Sequence, residues 1–402
     1  RTIDGIIIGA LSLLYIVIGV YNLPDFPHRR HHFISFFLFP SEKIWFSGLL
    51  AIIAVSFMIV LFVHFLQGEK KQIGEAFNEE KALKILTTYG GNSDSQLIFL
   101  KDKRMFAYEK DGEPTVLLQF ACFNNKCIVM GDPSGKKEDF PEAIEAFIEE
   151  TDRLCYLPVF YETSEEIVMI LHEFGYDFIK MGEEAYVDLN SFTTSGKKMK
   201  GTRAVLNRIE REGFTFDVLQ PPFSTEQMST FKNISDNWLG SRKEKGFSLG
   251  FFSEDYLQRA PIAVVKNTQE EIVAFATIMP TYTNNKVGTI DLMRYDSKKA
   301  PSGSMDFLFL HLFAYMKEEH IQWFNLGMAP LSNVGTSRKS FLQERIAYLV
   351  YEFGSHFYSF HGLREYKSKY ATNWVSRYTL YSRDSWIAYV MIALLIIDNA
   401  PV

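Results

Sequence analysis

Two long apolar segments begin the chain and differ from everything that follows them. Residues 3–21 and 44–66 contain almost no charged residues. As helices that rise about 1.5 Å per residue, each would cross a hydrocarbon layer of about 30 Å. We therefore predict two transmembrane helices and a connecting loop in residues 1–67, in a multi-pass membrane protein. Basic residues flank the second segment on both sides, so the charges leave its orientation open.

The remainder alternates between short apolar segments and amphipathic helical segments, which is typical of an α/β fold. Residues 141–152, for example, place apolar side chains on one helical face and glutamates on the other. The predicted strands of the first half are residues 97–100, 105–109, 115–123, 127–130, 157–161 and 184–189. Because the sequence begins at Arg1 and continues at once into an apolar segment, we interpret it as part of a longer protein.

A weak internal repeat predicts that the α/β part is a duplicated fold. The tripeptide N-N-K occurs at 124–126 and at 284–286, and E-F-G occurs at 173–175 and at 352–354. The predicted elements around these pairs follow the same order in both halves, which is the sequence signature of repeated units. We place the two subdomains at 75–192 and 214–384, a basic connecting helix at 193–213, and an apolar tail at 385–402.

The second half contains a charged segment, Thr289–Gly303, which the first half lacks. We interpret it as a strand end followed by a turn and then a helix that starts at Met305, with Asp291 and Arg294 where the strand meets its loop. The two charges form either a structural ion pair or a reactive site. The corresponding segment of the first half, V-M-G-D-P-S-G, lacks both charges. The comparison of the two halves therefore favours a reactive site in the second half.

Two further segments are rich in cations. The connecting helix contains Lys197, Lys198, Lys200, Arg203, Arg208 and Arg211, with no acidic residue before Glu210. Residues 363–378 interleave Arg364, Lys367, Lys369 and Arg377 with aromatic residues that include Trp374. Each segment is either a solvated or aromatic-stacked basic surface or a site for phosphate groups. Asn325, near the end of a predicted strand, is either a turn residue or a group that holds a substrate amide or amine.

Composition narrows the classes of protein that remain. The formal net charge of −6 argues against a protein that coats nucleic acid along its length. Three Cys without paired spacing indicate reduced thiols in a core and neither a disulfide framework nor a zinc site. The sequence lacks the G-x-x-x-x-G-K-[ST], G-x-G-x-x-G, H-E-x-x-H and G-x-S-x-G motifs. We therefore expect no metal, no bound cofactor and no serine hydrolase.

Five segments together resemble the C-terminal part of the bacterial phosphatidylglycerol lysyltransferases, also called lysylphosphatidylglycerol synthases or multiple peptide resistance factors. They are G-K-K-M-K-G-T-R-A-V-L-N-R (196–208), D-L-M-R-Y (291–295), P-S-G-S-M-D-F-L-F (301–309), F-N-L-G-M-A-P-L (324–331) and Y-K-S-K-Y-A-T-N-W-V-S-R-Y (366–378). The resemblance implies two tandem acetyltransferase-like (GNAT) folds joined by a basic helix. It also implies that further N-terminal flippase spans precede this part of the protein. It leaves homo-oligomerisation open.

The resemblance implies a reaction as well as a fold. A lysyl group would pass from lysyl-tRNA to the glycerol hydroxyl of phosphatidylglycerol, which lowers the negative charge of the membrane and weakens the binding of cationic antimicrobial peptides. Because aminoacyl-tRNA is the donor, the α/β part would be cytoplasmic in a protein of the cell membrane. The partners would be aminoacyl-tRNA, phosphatidylglycerol and the bilayer.

We assign roles to the candidate residues as hypotheses within this resemblance. Asp291 would act as the base or hold the lysyl α-ammonium, and Arg294 and Lys369 would contact a phosphate or the developing oxyanion. Lys367, Arg364 and Arg377 would hold lipid or tRNA phosphates, beside Trp374. Asp306 is a candidate to bind the lysyl ammonium. Residues 197–211 would hold the tRNA backbone.

Three alternatives stay open. The donor could be alanyl-tRNA, because the donor pocket is not legible in the sequence. The acceptor could be a peptidoglycan precursor, although two membrane spans favour a lipid. A lipid- or tRNA-binding module without catalysis is the alternative from another class. An acetyl-CoA enzyme is disfavoured, because the sequence lacks an R/Q-x-x-G-x-G/A pyrophosphate loop.

Overall fold

A computed structural model describes residues 9, 12–17, 42–66, 72–284, 286–345, 360–383, 385 and 387–400 of the chain. The chain divides into two compact units, Arg1–Gln72 and Ile73–Val402. In the first unit, helix α1 (Glu42–Leu66) covers the second of the two apolar segments. Residues 12–17 are also helical, and the rest of the first segment lies outside the described residues.

Membrane spans at 3–21 and 44–66 stay a prediction. Among the parts of the chain that the structure describes, no helix is both long enough and apolar enough to cross a membrane.

The second unit is a mixed α/β structure, as the sequence predicts. Its helices are α2 (Glu79–Tyr89), α3 (Phe140–Arg153), α4 (Glu165–Glu173), α5 (Lys200–Arg211), α6 (Thr225–Leu239), α7 (Glu254–Leu257), α8 (Ser304–Glu318), α9 (Phe360–Ser368) and α10 (Ile387–Asp398). Its strands are β1 (Arg104–Lys110), β2 (Glu113–Phe123), β3 (Lys126–Met130), β4 (Ser134–Gly135), β5 (Leu157–Thr163), β6 (Tyr176–Asp188), β7 (Thr215–Leu219), β8 (Ile262–Lys266), β9 (Ile272–Met279), β10 (Val287–Tyr295), β11 (Trp323–Pro330) and β12 (Asn373–Ser382).

The twelve strands in the described part of the chain belong to one sheet. Eleven lie in the order β1-β2-β3-β5-β12-β6-β11-β10-β9-β8-β7, and β4 pairs with β2 at the side. The last strand of each half is exchanged between the halves, because β12 pairs with β5 and β6 pairs with β11. One apolar core likewise combines Ile85 and Leu86 of the first half with Phe231 and Phe275 of the second. The two halves therefore fold around shared strands and a shared core.

Each half contains one parallel strand pair joined by a helix, and the two pairs differ in length. In the first half, β3 and β5 pair along five positions, from Lys126 opposite Leu157 to Met130 opposite Tyr161. In the second half, β10 and β11 pair only from Val287 to Thr289. Both strands continue for several residues beyond that point, so the sheet opens between them. This opening distinguishes the second half from the first.

The structure corrects three local predictions. Residues 97–100 form part of a 3-10 helix, Ser95–Leu100, and not a strand. Cys122 and Cys127 lie opposite each other in the hairpin of β2 and β3 and form a disulfide, so the prediction of reduced thiols was wrong for this pair. Cys155 is free but exposed, and therefore lies outside the core. The spacing alone did not reveal that 122 and 127 face each other across a two-residue turn.

Candidate functional site

A buried ion pair crosses the middle of the sheet. Glu184 on β6 is 3% exposed, and its Oε2 accepts a hydrogen bond of 2.7 Å from Nε of Arg377 on β12. A second guanidinium nitrogen of Arg377 donates to the same oxygen, and the Tyr186 hydroxyl donates to it over 3.0 Å. The two strands are those exchanged between the halves, so the pair lies at their junction.

Asn325 connects this pair to the opening between β10 and β11. Its Nδ2 donates to Glu184 Oε1 over 2.5 Å and to the Ser93 hydroxyl over 3.0 Å. Its Oδ1 accepts from the Gly327 backbone N–H over 2.7 Å. Thr289, opposite Asn325, is the last residue of β10 that pairs with β11. Asn325 is therefore a fully hydrogen-bonded amide at the apex of the opening.

Four acidic side chains surround Arg377, and we refer to them as the carboxylate cluster: Asp94, Asp132, Glu162 and Glu184. Asp132 accepts from the Ser164 N–H over 2.8 Å, and its Oδ2 lies 3.6 Å from Arg377 Nη1. Burial alone would lower the pKa of Arg377, but the carboxylates of Glu184 and Asp132 outweigh it and raise that pKa. The single guanidinium of Arg377 thus interacts with more than one carboxyl group.

The cluster holds more acid than its cations balance. Burial, reinforced by the charge of Glu184, raises the pKa of Asp94 to about 7. Burial and the nearby Asp94 raise the pKa of Glu162 well above its usual range, and burial raises that of Asp132. These raised pKa values arise mainly from burial, and a cation that entered the cluster would lower them again.

Glu162 is also strained in its backbone. It lies on β5 with φ of +63°, in the left-handed region that bulky side chains rarely adopt. Such strain persists where the surrounding structure enforces it, and it concentrates at functional sites. The strained backbone and the raised pKa coincide at one carboxyl of the cluster.

Lys367 on α9 supplies an amine next to the cluster. Its Nζ donates to the Met328 carbonyl of β11 over 2.7 Å, within the part of β11 that no longer pairs with β10. Burial lowers the pKa of Lys367 to about 8, although the charges of Glu162 and Glu184 oppose this. A lysine with such a pKa is partly neutral near pH 8 and is able to accept a proton there.

The predicted pair Asp291 and Arg294 lies inside β10 and not in a turn after it. Arg294 donates through both terminal nitrogens to Glu244 over 2.7 Å and to Ser235, with its guanidinium 5.0 Å from the Trp238 ring centroid. This buried guanidinium is held by these groups and does not reach the carboxylate cluster through any described contact.

Asp291 contacts a different residue of the loop that follows α6, the loop that also carries Glu244. Its Oδ1 accepts from the Gly250 N–H over 2.9 Å, and its Oδ2 is buried without a hydrogen-bond partner. Burial raises the pKa of Asp291 to about 6. A side chain at Gly250 would place its Cβ 1.6 Å from Asp291 Oδ2, so a larger residue there would displace the Asp291 carboxyl. The structure therefore brings Lys367, Asn325 and Arg377 together and keeps Asp291 and Arg294 apart from them.

The remaining predicted residues of the second basic segment also separate. Lys369 Nζ lies 3.5 Å from Asp306 and 4.5 Å from the Tyr366 ring centroid, away from Lys367. Arg364 donates to Glu183 over 2.5 Å and stacks 4.1 Å from the Trp374 ring centroid. The sequence predicted one group of cations, whereas the helix-to-strand change between α9 and β12 divides it.

Helix α5 carries the first basic segment. It begins at Lys200, and Lys197 and Lys198 precede it. Three arginines contact backbone carbonyls: Arg203 that of Gly196, Arg208 that of Ser302, and Arg211 that of Asn207. The lysines Lys197, Lys198 and Lys200 are exposed.

Sequence reasoning missed the carboxylate cluster entirely. The cluster belongs entirely to the first half, whereas the sequence pattern favours a reactive site in the second. One signal was present, because Glu183-Glu184 is an acidic pair inside a strand pattern. Among the described residues, no group of three or more His, Cys, Asp and Glu has a geometry that would hold a metal ion.

We expect Asp94→Asn to stabilise the protein in a pH-dependent way. The pKa of Asp94 rises from 3.8 in the unfolded chain to about 7 in the fold, so the folded state favours the protonated form. The stabilisation of the folded state by protonated Asp94 is complete below about pH 4 and is lost as the pH rises through about 7. Thermal unfolding of the full chain in detergent at pH 5.5 and pH 8 measures the effect. The gain from Asp94→Asn should be larger at pH 8.

Asp111→Asn provides the matched control for that comparison. Asp111 is exposed in the turn between β1 and β2 and adopts a positive φ that asparagine also tolerates. The stability of this variant should follow that of the wild type at both pH values. If the Asp94→Asn and wild-type proteins differ by the same amount at both pH values, the raised pKa of Asp94 is refuted.

Comparison with known proteins points to one family. The family described as "Phosphatidylglycerol lysyltransferase, C-terminal" matches residues 83–381. A phosphatidylglycerol lysyltransferase of Bacillus subtilis (strain 168) is 43% identical over 391 residues, which cover 96% of this chain and 45% of that protein. One from Staphylococcus aureus (strain COL) is 37% identical over 390 residues, with the same coverage of 96% and 45%. The solved structure of L-PGS from Bacillus licheniformis has a TM-score of 0.73 and 48% identity, and covers 82% of this chain and 99% of that one.

Proposed function

The chain belongs to the phosphatidylglycerol lysyltransferase C-terminal family, and on that premise we propose that it transfers a lysyl group from lysyl-tRNA to the glycerol hydroxyl of phosphatidylglycerol. The chain spans about half the length of the curated relatives it matches. The product carries the lysyl ammonium groups on an anionic lipid, and therefore lowers the negative charge of the membrane surface.

The group of carboxyls around Arg377 is the observation that carries this proposal. Burial raises the pKa of Asp94, Glu162 and Asp132, so their ionised forms would gain from a cation that enters the cluster. Glu184 is buried, whereas the other three carboxyls are half-buried. A lysyl ester brings an α-ammonium and an ε-ammonium, which supply two positive charges, and an alanyl ester brings only one. The cluster therefore favours lysyl over alanyl.

The reaction is the exchange of one ester for another. The glycerol oxygen attacks the lysyl carbonyl carbon, the bond from that carbon to the tRNA ribose oxygen breaks, and a new ester bond to glycerol remains. The proton of the glycerol hydroxyl passes to the neutral Lys367 amine and then to the departing ribose oxygen. No other reactant is needed. The opening between β10 and β11, beside Lys367 and Asn325, is the proposed place of the carbonyl.

The other predicted residues keep supporting roles in the proposal. Asp291, with its unpartnered oxygen and a pKa raised by burial, would position the loop that carries Gly250. Arg294 would fix β10 through Glu244. Arg364, Lys369 and Asp306 border α9 and would hold it against the sheet. Trp374 would support Arg364 through their stacking.

Helix α5 and the lysines before it are the proposed contact for the tRNA backbone. Its arginines are held by carbonyls, so Lys197, Lys198 and Lys200 remain for phosphates. Phosphate contacts of this kind depend on counterion release and therefore on salt.

We expect Lys197→Gln/Lys198→Gln/Lys200→Gln to weaken tRNA binding and to flatten its salt dependence. Each lost phosphate contact should reduce the slope of log Kd against log salt by about 0.7–0.9. Filter binding of lysyl-tRNA to the full chain at several salt concentrations measures the slope. Lys137→Gln, an exposed lysine paired with Glu166, is the control. An unchanged slope in the triple variant would refute the assigned contact.

The decisive experiment supplies the full chain in phosphatidylglycerol vesicles with labelled lysyl-tRNA or labelled alanyl-tRNA. We expect the lysyl label to enter the lipid fraction and the alanyl label to enter it much less. Glu162→Gln should narrow the difference, because it removes a carboxyl that one ammonium would meet. Alanyl label in lipid, or label in a peptidoglycan precursor, would favour the corresponding alternative. No label in any acceptor would leave only a binding module.

The location follows from the same proposal. Because aminoacyl-tRNA is made and used in the cytoplasm, unit 73–402 would lie on the cytoplasmic side of the cell membrane. The apolar segments 3–21 and 44–66 would anchor it, together with the N-terminal flippase spans that the resemblance implies. The two halves around β3–β5 and β10–β11 would be the tandem GNAT-like folds.

A further inference from the structure

Ser93 lies at the apex of the opening between β10 and β11, although it belongs to the first half of the chain. Its Oγ accepts a hydrogen bond of 3.0 Å from Asn325 Nδ2. Asn325 is 1% exposed, whereas Ser93 is half-buried and keeps part of its surface accessible. A substrate that enters the opening is therefore able to touch Ser93 but not the Asn325 amide behind it.

The hydroxyl hydrogen of Ser93 remains available to a ligand. The Gly327 N–H donates to Asn325 Oδ1 over 2.7 Å, which fixes the orientation of the amide and makes its Nδ2 the donor towards Ser93. Ser93 therefore accepts, and in the described part of the chain its O–H meets no acceptor within hydrogen-bond distance. A hydroxyl that accepts from an amide also becomes a stronger donor, because consecutive hydrogen bonds polarise one another.

The two polar groups next to Ser93 are already occupied. The Tyr186 hydroxyl donates its hydrogen to Glu184. The Asn325 amide donates to Glu184 and to Ser93 itself. Ser93 thus differs from both neighbours, because its polar hydrogen points to no group of the network that surrounds Glu184.

The turn that carries Ser93 is held in place by side chains. Asn92 Oδ1 accepts from the Asp94 N–H over 2.9 Å, and Asn92 Nδ2 donates to the Asp132 carbonyl over 3.0 Å. Gln119 of β2 donates to the Asp94 carbonyl over 2.9 Å. A donor that is fixed before the reaction needs no reorganisation when negative charge develops on the substrate.

We propose that the Ser93 hydroxyl donates a hydrogen bond to the lysyl carbonyl oxygen and stabilises the oxyanion that forms there during transfer. The inference deepens the proposed function and rests on its lysyl ester donor. When the glycerol oxygen attacks the carbonyl carbon, one electron pair of the C=O bond moves onto the carbonyl oxygen. The Ser93 O–H bonds to that oxygen and keeps its own proton. The pair returns to the carbon as the bond to the ribose oxygen breaks.

The place of Ser93 beside Asp94 suits an aminoacyl ester. The α-ammonium and the carbonyl group of such an ester are attached to the same carbon atom, so their partners in the protein must be neighbours. Asp94 belongs to the carboxylate cluster, where the proposed function puts an ammonium group. Lys367, the proposed base, lies against Met328 of β11, three residues beyond Asn325. Ser93 is thus adjacent to the proposed ammonium site and at the same opening as the proposed base.

Two analogues of the donor test the contact in the full chain in detergent. One tRNA carries lysine through a 3′ amide, which has a planar carbonyl, and the other carries the aminophosphonate of lysine, which has tetrahedral anionic oxygens. Ser93→Ala should weaken binding of the phosphonate about 10²-fold, the usual effect of losing one oxyanion donor, and should leave binding of the amide nearly unchanged. Retained binding of the amide also shows that the variant is folded.

Ser191→Ala is the matched control for the analogues. Ser191 is exposed after β6, and its hydroxyl donates to Asp188 over 2.7 Å. This variant should bind both analogues as the wild type does. If Ser93→Ala weakens binding of the two analogues by the same factor, or of neither, the hydroxyl does not recognise a developing oxyanion and the proposal is overturned.

Transfer kinetics provide a second readout for Ser93→Ala. Its single-turnover rate at saturating lysyl-tRNA should fall about 10²-fold, without a rise in KM, because the lost interaction forms only in the transition state. A raised KM at an unchanged rate would overturn the proposal. A lysyl ester on Ser93 in acid-quenched reactions of the wild type, detected by mass spectrometry, would overturn it too, since that product makes Ser93 a nucleophile.

The possible failures are distinguishable. Normal lysyl transfer by the wild type together with an equal rate for Ser93→Ala would refute only the role of Ser93. A wild-type protein that transfers lysine to no lipid would refute the proposed function, while the two analogues would still decide whether Ser93 binds a tetrahedral oxyanion.

Discussion

Arg377→Met should lower the free energy of unfolding by about 3–5 kcal/mol, the usual effect of removing one partner from a buried ion pair. Arg377 donates to Glu184 from two nitrogens and lies 3.6 Å from Asp132. Without it, three or more carboxyls share a buried space that has no guanidinium. The loss should be largest at pH 8, because acid would protonate the carboxyls and relieve their repulsion. Urea unfolding of the full chain in detergent at pH 5.5 and pH 8 measures both effects.

Arg383→Met is the matched control. It lies just after β12, pairs with Asp177 over 3.3 Å, and is mostly exposed. Exposed pairs contribute about 0–1 kcal/mol, so this variant should unfold nearly as the wild type does. Adding Glu184→Gln to Arg377→Met should restore part of the lost stability, since it removes one of the carboxylates left without a guanidinium. A double-mutant cycle measures this coupling. Equal stability of the Arg377→Met and Arg383→Met variants would contradict the buried network.

Lys367→Met should reduce the rate of lysyl transfer by about 10²–10⁴, the range attributed to a positioned general base. Burial lowers the pKa of Lys367 to about 8, so its neutral fraction grows as the pH rises towards that value. The wild-type rate should therefore increase with pH up to about 8 and then level off. The methionine variant should lose that dependence while it still binds lysyl-tRNA. Single-turnover transfer from pH 6.5 to 8.5 measures the rate, and filter binding measures the affinity.

Lys369→Met distinguishes this role from a general effect of positive charge. The two lysines are two positions apart in the sequence, yet Lys369 lies near Asp306 and Lys367 lies against Met328. Lys369→Met should lose far less activity and should keep the pH profile of the wild type. If both variants lose the same amount and both keep the wild-type profile, Lys367 is not the base.

Particular residues show how far the sequence led towards the site. The sequence predicts Lys367, Asn325 and Arg377 as site residues, because clustered cations and an amide near a strand end need partners, and the structure places all three around one site. The sequence predicts Asp291 and Arg294 as one unit, whereas the structure pairs Asp291 with Gly250 and Arg294 with Glu244, two residues of the same loop. A bulge in the pairing of β10 with β9, between Ile290 and Met293, changes the alternation of side chains along this strand. The spacing of three residues does not reveal such a bulge.

The carboxylate cluster, in contrast, is part of the site that the sequence did not predict. Its four acids lie in the first half, at positions that each look ordinary in the sequence: just before the 3-10 helix Ser95–Leu100, a turn after β3, the end of β5 and the middle of β6. They meet Arg377 only because β12 is inserted between β5 and β6. The repeat predicted two folds one after the other, and no local pattern indicates that two such folds exchange their last strands.

The sequence by itself determined the α/β character of the unit, its internal repeat, the basic helix and the apolar character of residues 387–397. Each of these depends on periodicity or composition within a short stretch of chain, which the order of residues records directly. Only the tertiary structure decided which charges meet, which of two neighbouring lysines lies against β11, and which face of α10 stays uncovered. Those features depend on strand order and burial across more than two hundred residues, and burial is what changes the pKa of a carboxyl or an amine.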